Sequence, residues 1–249
     1  MAGHSKWANI KHKKAAQDAK RGKVFTKIIK ELMVAAKTGG SDPEANPRLR
    51  QAISTAKAAN MPSDTISRNI QKGAGELEGV DYEELSYEGF GPEGVAIMID
   101  VMTDNKNRTV AEIRHLMAKF GGNLGENGCV SYLFDRIGSI IYPANLNDFE
   151  KFLDYSIETD TKDIFESGEF YEIITNLESF NDIREKFSDQ FGEPDEANII
   201  WKSKEHVDLN ENSIHKIFKL INGLDDCEDV QNVFYNFEFD EKSLQILEE

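Results

Sequence analysis

Four lysines at a constant spacing of seven, Lys6, Lys13, Lys20 and Lys27, mark the first thirty residues. On a helix this spacing holds side chains near one face, with a drift of about 20° per heptad. Lys11, Lys14, Arg21, Lys23 and Lys30 stand among them, so these thirty residues carry nine Lys or Arg and a single acid, Asp18. Surface helices usually intersperse acids that pair at i,i+4. A block of uncompensated cations suits phosphate neutralisation, in which each contact releases condensed counterions. Trp7 could stack on an exposed base or dock the segment hydrophobically, and His12, like His4, could contact a phosphate. The segment supplies too few ligands for a metal site.

A second candidate is "DNKNRT" at 104–109. Lys106 and Arg108 sit there in a polar stretch before an apolar-periodic segment. The free amides of a helix N-terminus favour anions, which makes a phosphate contact an alternative to ordinary capping. Elsewhere the residues offer little chemistry. "GGNLGENG" lacks the Gly-Lys-Ser/Thr ending of a phosphate loop and reads as a helix end and a turn. Asp100 and Asp104 read as loop caps rather than metal ligands. His115, His206 and His215 are scattered, and Cys129 and Cys227 have no zinc spacing and no disulfide framework. No catalytic residue, cofactor, metal or small-molecule substrate is expected.

The elements that must position these groups divide by charge. Residues 1–75 hold fifteen Lys/Arg against five Asp/Glu, and the rest hold fourteen against forty. The formal charge of −16 therefore hides a basic module on an acidic body. Such asymmetry points to a polyanionic partner. In "KVFTKIIKELMVAAK" (23–37), Val24, Phe25, Ile28, Ile29, Leu32, Ala35 and Ala36 share one helical face, and Lys23, Lys27, Lys30 and Lys37 the opposite one. "TGG" stops that helix. Asn46-Pro47 starts a second, and Pro62 and Gly73 bracket a third. Upstream, the arm has few large apolar groups and is expected to become helical on a polyanion.

In the body, Tyr82–Phe90, the Gly91–Gly94 turn and Val95–Met102 read as a hairpin. Val110–Phe120 is a helix and "GCVSYLF" (128–134) a strand. "GSIIY", "LNDFEKFLDYSIE", "DIFES", "FYEIIT", "NLESFNDIREKF" and "ANIIWKS" then give β-α-β-β-α-β, a ferredoxin-like plan. A last helix from Asn210 and a strand at "DVQNVFYNFEF" complete the interrupted first unit. The expected fold class is α+β: an N-terminal three-helix bundle with its arm (1–78), then two α+β (ferredoxin-like) domains. The first of these is discontinuous (79–134 and 206–240), and the second (135–205) is inserted in it. No apolar run approaches the length of a membrane span, and a charged N-terminus without an apolar core is no signal peptide. A cytoplasmic location and no membrane partner are expected.

"MAGHSKWANIKHKKAAQDAKRGKVFTKIIKEL", "NPRLRQAI", "YEGFGPEGVAIMID", "DNKNRTVAEIRH", "GGNLG" and "INGLDDCEDVQNVFYNFEF" closely resemble the YebC/PmpR family. The likeness spans nearly the whole chain, and over 135–205 it is one of general character only. It implies a helical bundle and two α+β domains around a cleft, and no enzyme. Family members are described as DNA-binding transcriptional regulators. A mitochondrial relative is described as a translational activator, and bacterial members are linked to stalled ribosomes. The motif residues that match are Lys6, Trp7, Lys11, His12, Lys13, Lys14, Lys20, Arg21, Lys23 and Lys27, which coincide with the basic block.

Two partners therefore stay open at this point: duplex DNA, read by a transcriptional regulator, or ribosomal RNA, bound by a translation factor. No cluster of base-reading Arg, Asn or Gln opens a helix. A Lys-rich arm that folds on structured RNA demands no base code. A ligand- or protein-binding role for the cleft is a third reading, and an enzyme a fourth.

Overall fold

The computed structural model describes residues 17–144 and 149–238, with side chains in the first helix described from Gly22 onward. Residues 133–205 form one compact unit, and the described residues before and after them form a second.

The second unit begins with three helices, α1 (Gln17–Gly39), α2 (Pro47–Ala58) and α3 (Ser63–Gly73). The apolar stripe of α1 is buried as its period requires. Ile28, Leu32, Ala35 and Ala36 pack with Leu49, Ala52, Ala56, Met61 and Ile66. Asn46 joins the first two helices. Its Oδ1 accepts from the Leu49 amide at 3.0 Å, capping α2. Its Nδ2 donates to the carbonyls of Ala35 and Gly40 at 2.8 and 2.9 Å, closing α1. The start of α2 thus lies at the end of α1, and the two run antiparallel. The chain turns at 59–62, and α3 returns beside α1. There a Cβ on Gly73 would stand 2.3 Å from the Met33 carbonyl oxygen, so the backbones touch where only glycine fits.

After the bundle comes a four-stranded antiparallel sheet. Its strands are β1 (Glu83–Phe90), β2 (Ala96–Thr103), β3 (Asn123–Leu124) and the late strand 230–235, in the order β3-β1-β2-(230–235). β1 and β2 are the expected hairpin, paired from Phe90↔Ala96 to Glu83↔Thr103. Helix α4 (Lys106–Lys119) and the helix Glu211–Asp225 cover one face. Ile97, Ile99 and Val101, alternate residues of β2, meet Ile113, Met117, Ile217 and Leu220 there.

Residues 128–133 depart from the expected strand. Glu88, buried in β1, accepts from the amides of Gly128, Val130 and Ser131 at 2.8, 2.8 and 2.9 Å. Those amides are committed to a carboxylate, so they cannot enter a ladder, and a 3₁₀ turn follows at Ser131–Leu133. Burial opposes ionisation of Glu88, but the three amides outweigh it and lower its pKa.

The other unit contains β4 (Phe134–Pro143), α5 (Phe149–Glu158), β5 (Asp163–Glu166), β6 (Phe170–Thr175), α6 (Phe180–Phe191) and β7 (Glu196–Ser203). Its antiparallel sheet runs β5-β6-β4-β7, with the first and third strands central, as the ferredoxin-like plan demands. Tyr142, Phe152 and Phe187 fill its core, and Phe152 stacks on Phe191 with centroids 4.0 Å apart. Helix α7 (Glu211–Asp225) and strand β8 (Val230–Tyr235) then return the chain to the first sheet, where β8 is an edge. Among the described residues no helix is long and apolar enough to cross a membrane.

Candidate nucleic-acid interface

The basic block is divided by what its cations touch. Lys6, Trp7, Lys11, His12, Lys13 and Lys14 lie outside the described residues, as do the side chains of Lys20 and Arg21, whose backbone is already helical in α1. From Lys23 on, the lysine ridge of α1 faces acceptors of the same unit. Lys23 Nζ lies 3.0 Å from Asp226 Oδ1, an exposed pair. Lys27 Nζ donates to the Gln231 carbonyl at 3.3 Å, on the edge strand β8. An edge carbonyl held this way is protected from pairing with another chain.

Lys30 corrects the expectation of a solvent-facing ridge. It is only 4% exposed. Its Nζ donates to Asp229 Oδ1 at 2.6 Å, to the Glu228 carbonyl at 2.8 Å and to the Met102 carbonyl at 3.2 Å. All three ammonium protons are thereby used, and the Tyr82 ring lies 5.4 Å away. Lys30 presents no donor to an external phosphate. Helix α1 has two packed faces: an apolar one against α2 and α3, and a lysine one against the turn between α7 and β8. The long aliphatic stems of Lys let a charged face pack in this way.

Asp229 is the hub of this contact. Its Oδ2 accepts from Thr109 Oγ1 at 2.6 Å and from Arg108 Nη2 at 2.8 Å, while Lys30 takes Oδ1. Thr103 Oγ1 lies 3.2 Å from the same Oδ2. Burial works against the carboxylate, yet the hydrogen bonds from Arg108, Lys30 and Thr109 overcome it and hold the pKa down at about 2. The hub joins four elements: α1, the end of β2, the first turn of α4 and the start of β8. A second tie is Arg48 of α2. It forms a two-pronged pair with Glu31, at 2.7 and 3.0 Å, and another with Glu84 of β1, at 3.0 and 2.6 Å. Lys37 pairs with Asp81.

The segment 105–108 is the first turn of α4 rather than a loop before it. Asn105 is the N-cap, and its Oδ1 accepts from the Arg108 amide at 3.1 Å. Lys106 pairs with Glu83 at 2.6 Å. Arg108 bridges Asp104 at 2.7 Å and Asp229 at 2.8 Å, with about half its side chain (52%) still exposed. Both expected phosphate ligands therefore hold internal acids. Cys129 and Cys227 are free thiols, and among the described residues no cluster of His, Cys, Asp and Glu could hold a metal ion.

Residues 5–76 match the family description "TACO1/YebC protein N-terminal domain", and residues 82–237 match "TACO1/YebC second and third domain". The chain belongs to the TACO1/YebC family. It is 49% identical over 248 residues to a protein of Geobacter sulfurreducens, covering 99% of this chain and 100% of that one. It is 45% identical over 248 residues to a protein of Magnetococcus marinus, covering 99% of each. Both are called "Probable transcriptional regulatory protein". A conserved hypothetical protein of Aquifex aeolicus has a similar crystal structure, with a TM-score of 0.84 and 48% identity over 93% of this chain and 96% of that one.

In this TACO1/YebC protein, sequence reasoning missed the receiving side of the lysine ridge. The signal was present: "DDCED" at 225–229 sets four acids against lysines spaced i, i+4 and i+7 on α1. What could not be read from one strand of sequence is that this run folds beside α1. Also missed were Arg68 and Lys72 on α3, single cations with no motif around them. Arg68 is exposed and Lys72 half-buried, and neither has an acid partner among the described residues.

Proposed function

We propose that this chain is a non-enzymatic regulator of gene expression that docks on duplex DNA through its basic N-terminal arm. The observation that carries this reading is where positive charge is left over. From Lys23 to Lys37 the lysines of α1 have internal acceptors. Upstream, Lys6, Lys11, Lys13, Lys14, Lys20 and Arg21 stand against Asp18 alone in the sequence. The regulator names of the full-length relatives point the same way.

In this reading the arm neutralises phosphates, and the acidic body, repelled by the same polyanion, fixes which side approaches. Binding of this type is sequence-independent in its main term and falls steeply with salt. A cytoplasmic location fits the role. The test is fluorescence anisotropy on duplex DNA across a salt series, with wild type and the Lys13→Glu/Lys20→Glu variant. Wild type should bind with a steep negative slope of log affinity against log salt, and the variant should lose most of its affinity. A flat salt response would overturn the proposal. Retention of ribosomal RNA against excess duplex would replace DNA by the ribosome as partner.

A further inference from the structure

The bundle carries a second cationic surface, distinct from the arm. Helix α3 buries Ile66 and Asn69 against the bundle and brings Gly73 onto the backbone of α1. Its opposite face carries Asp64, Arg68 and Lys72, spaced by four and therefore stacked along one line. Arg68 and Lys72 are like charges at i,i+4, an arrangement that destabilises an isolated helix unless something compensates it. Asp64, one turn before Arg68, is the single acid on that line, and among the described residues neither Arg68 nor Lys72 forms an ion pair with an acid. Over residues 47–75 the sequence holds five Lys or Arg against one acid. Of the five, Arg48 is consumed by Glu31 and Glu84. The helix dipole favours a cation in the last turn and so accounts for Lys72. It does not account for Arg68, a turn earlier.

We propose that the outer face of α3 is a second docking strip for the sugar–phosphate backbone of duplex DNA, with Arg68 and Lys72 each taking a phosphate. The inference rests on the DNA-binding reading above and adds a contact independent of the arm. Arg suits the place because its guanidinium can grip a phosphate with two parallel bonds, while Lys acts as a point charge.

The experiment uses the full chain and a 25-base-pair duplex, read by fluorescence anisotropy between 50 and 300 mM salt. It compares wild type, Arg68→Ala/Lys72→Ala, and Lys216→Ala/Lys219→Ala, which removes the same charge from exposed positions of α7. The strip predicts that the α3 variant has a salt slope shallower by about 2 and binds several-fold more weakly at low salt. The α7 variant should keep the wild-type slope. Thermal melting checks that both variants fold, as expected for surface side chains. An α3 variant with the wild-type slope overturns the strip and leaves the arm reading standing. Wild type that does not bind duplex at all overturns both. A slope change seen on ribosomal RNA but not on duplex overturns the choice of DNA.

Discussion

Helices α1 and α3 lie side by side and both carry cations on the face away from the bundle core, yet those cations do different work. From Lys23 on, the lysines of α1 meet Asp226, the Gln231 carbonyl, Asp229 and Asp81. Arg68 and Lys72 of α3 meet no acid among the described residues. Charge in a sequence is therefore not yet a surface property. On α1 it works as an internal fastener, and only what is left unpaired can serve an outside partner.

The largest expected effect attacks the fastener. Asp229→Ala leaves Lys30 buried without its counter-charge, and breaking a buried pair in this way costs about 3–5 kcal/mol. Urea unfolding of this variant should show that loss, whereas Arg68→Ala should stay within about 0.5 kcal/mol of wild type. Next comes Gly73→Ala. Its Cβ would stand 2.3 Å from the Met33 carbonyl oxygen, so α3 must move off α1. Overpacking of this kind costs about 1–3 kcal/mol, visible as a lower melting temperature.

A pH series tests the same hub without changing its shape. The folded-state pKa of Asp229 is depressed to about 2 from its ordinary value of 3.8. A carboxylate depressed on folding adds stability above its unfolded value and loses it as pH falls through the folded one. Wild type should therefore lose about 2 kcal/mol between roughly pH 4 and pH 2 that Asp229→Asn does not lose. The smallest effect is expected at the rim. Lys23→Gln breaks an exposed pair with Asp226, and such pairs contribute less than about 1 kcal/mol. A larger loss at Lys23 than at Asp229 would reverse the comparison.

Much of this was legible in the chain itself. The period of Ile28, Leu32, Ala35 and Ala36, with Asn46-Pro47, Pro62 and Gly73 as punctuation, locates all three helices of the bundle. Over 134–203 the succession of short apolar segments and longer helical ones gives the ferredoxin-like order. Residues 128–133 were not legible as a loop. Val130 and the aromatic residues around it look strand-like, and the capture of their amides by Glu88, some forty residues away, leaves no local trace. The first turn of α4 looks like loop in the sequence because Lys106, Asn107 and Arg108 interrupt the apolar period, although an Asn at 105 suits a cap. For the interface, the arm was visible as charge, while the burial of Lys30 depends on a partner 199 positions away. Local periodicity can say which side of a helix is apolar. It cannot say that the other side is covered as well.

The central claim is that from Lys23 on α1 commits its lysines to internal acceptors, while the cations before Lys23 and those of α3 are offered to DNA. Lysine-reactivity footprinting by mass spectrometry, with and without duplex DNA, tests it most directly. The account predicts that Lys30 stays unreactive in both states, and that Lys13, Lys20 and Lys72 lose reactivity when DNA is added while Lys216 and Lys219 do not. Lys30 labelled as fast as Lys72 in the free protein, or DNA shielding Lys216 and Lys219 as strongly as Lys72, would contradict it.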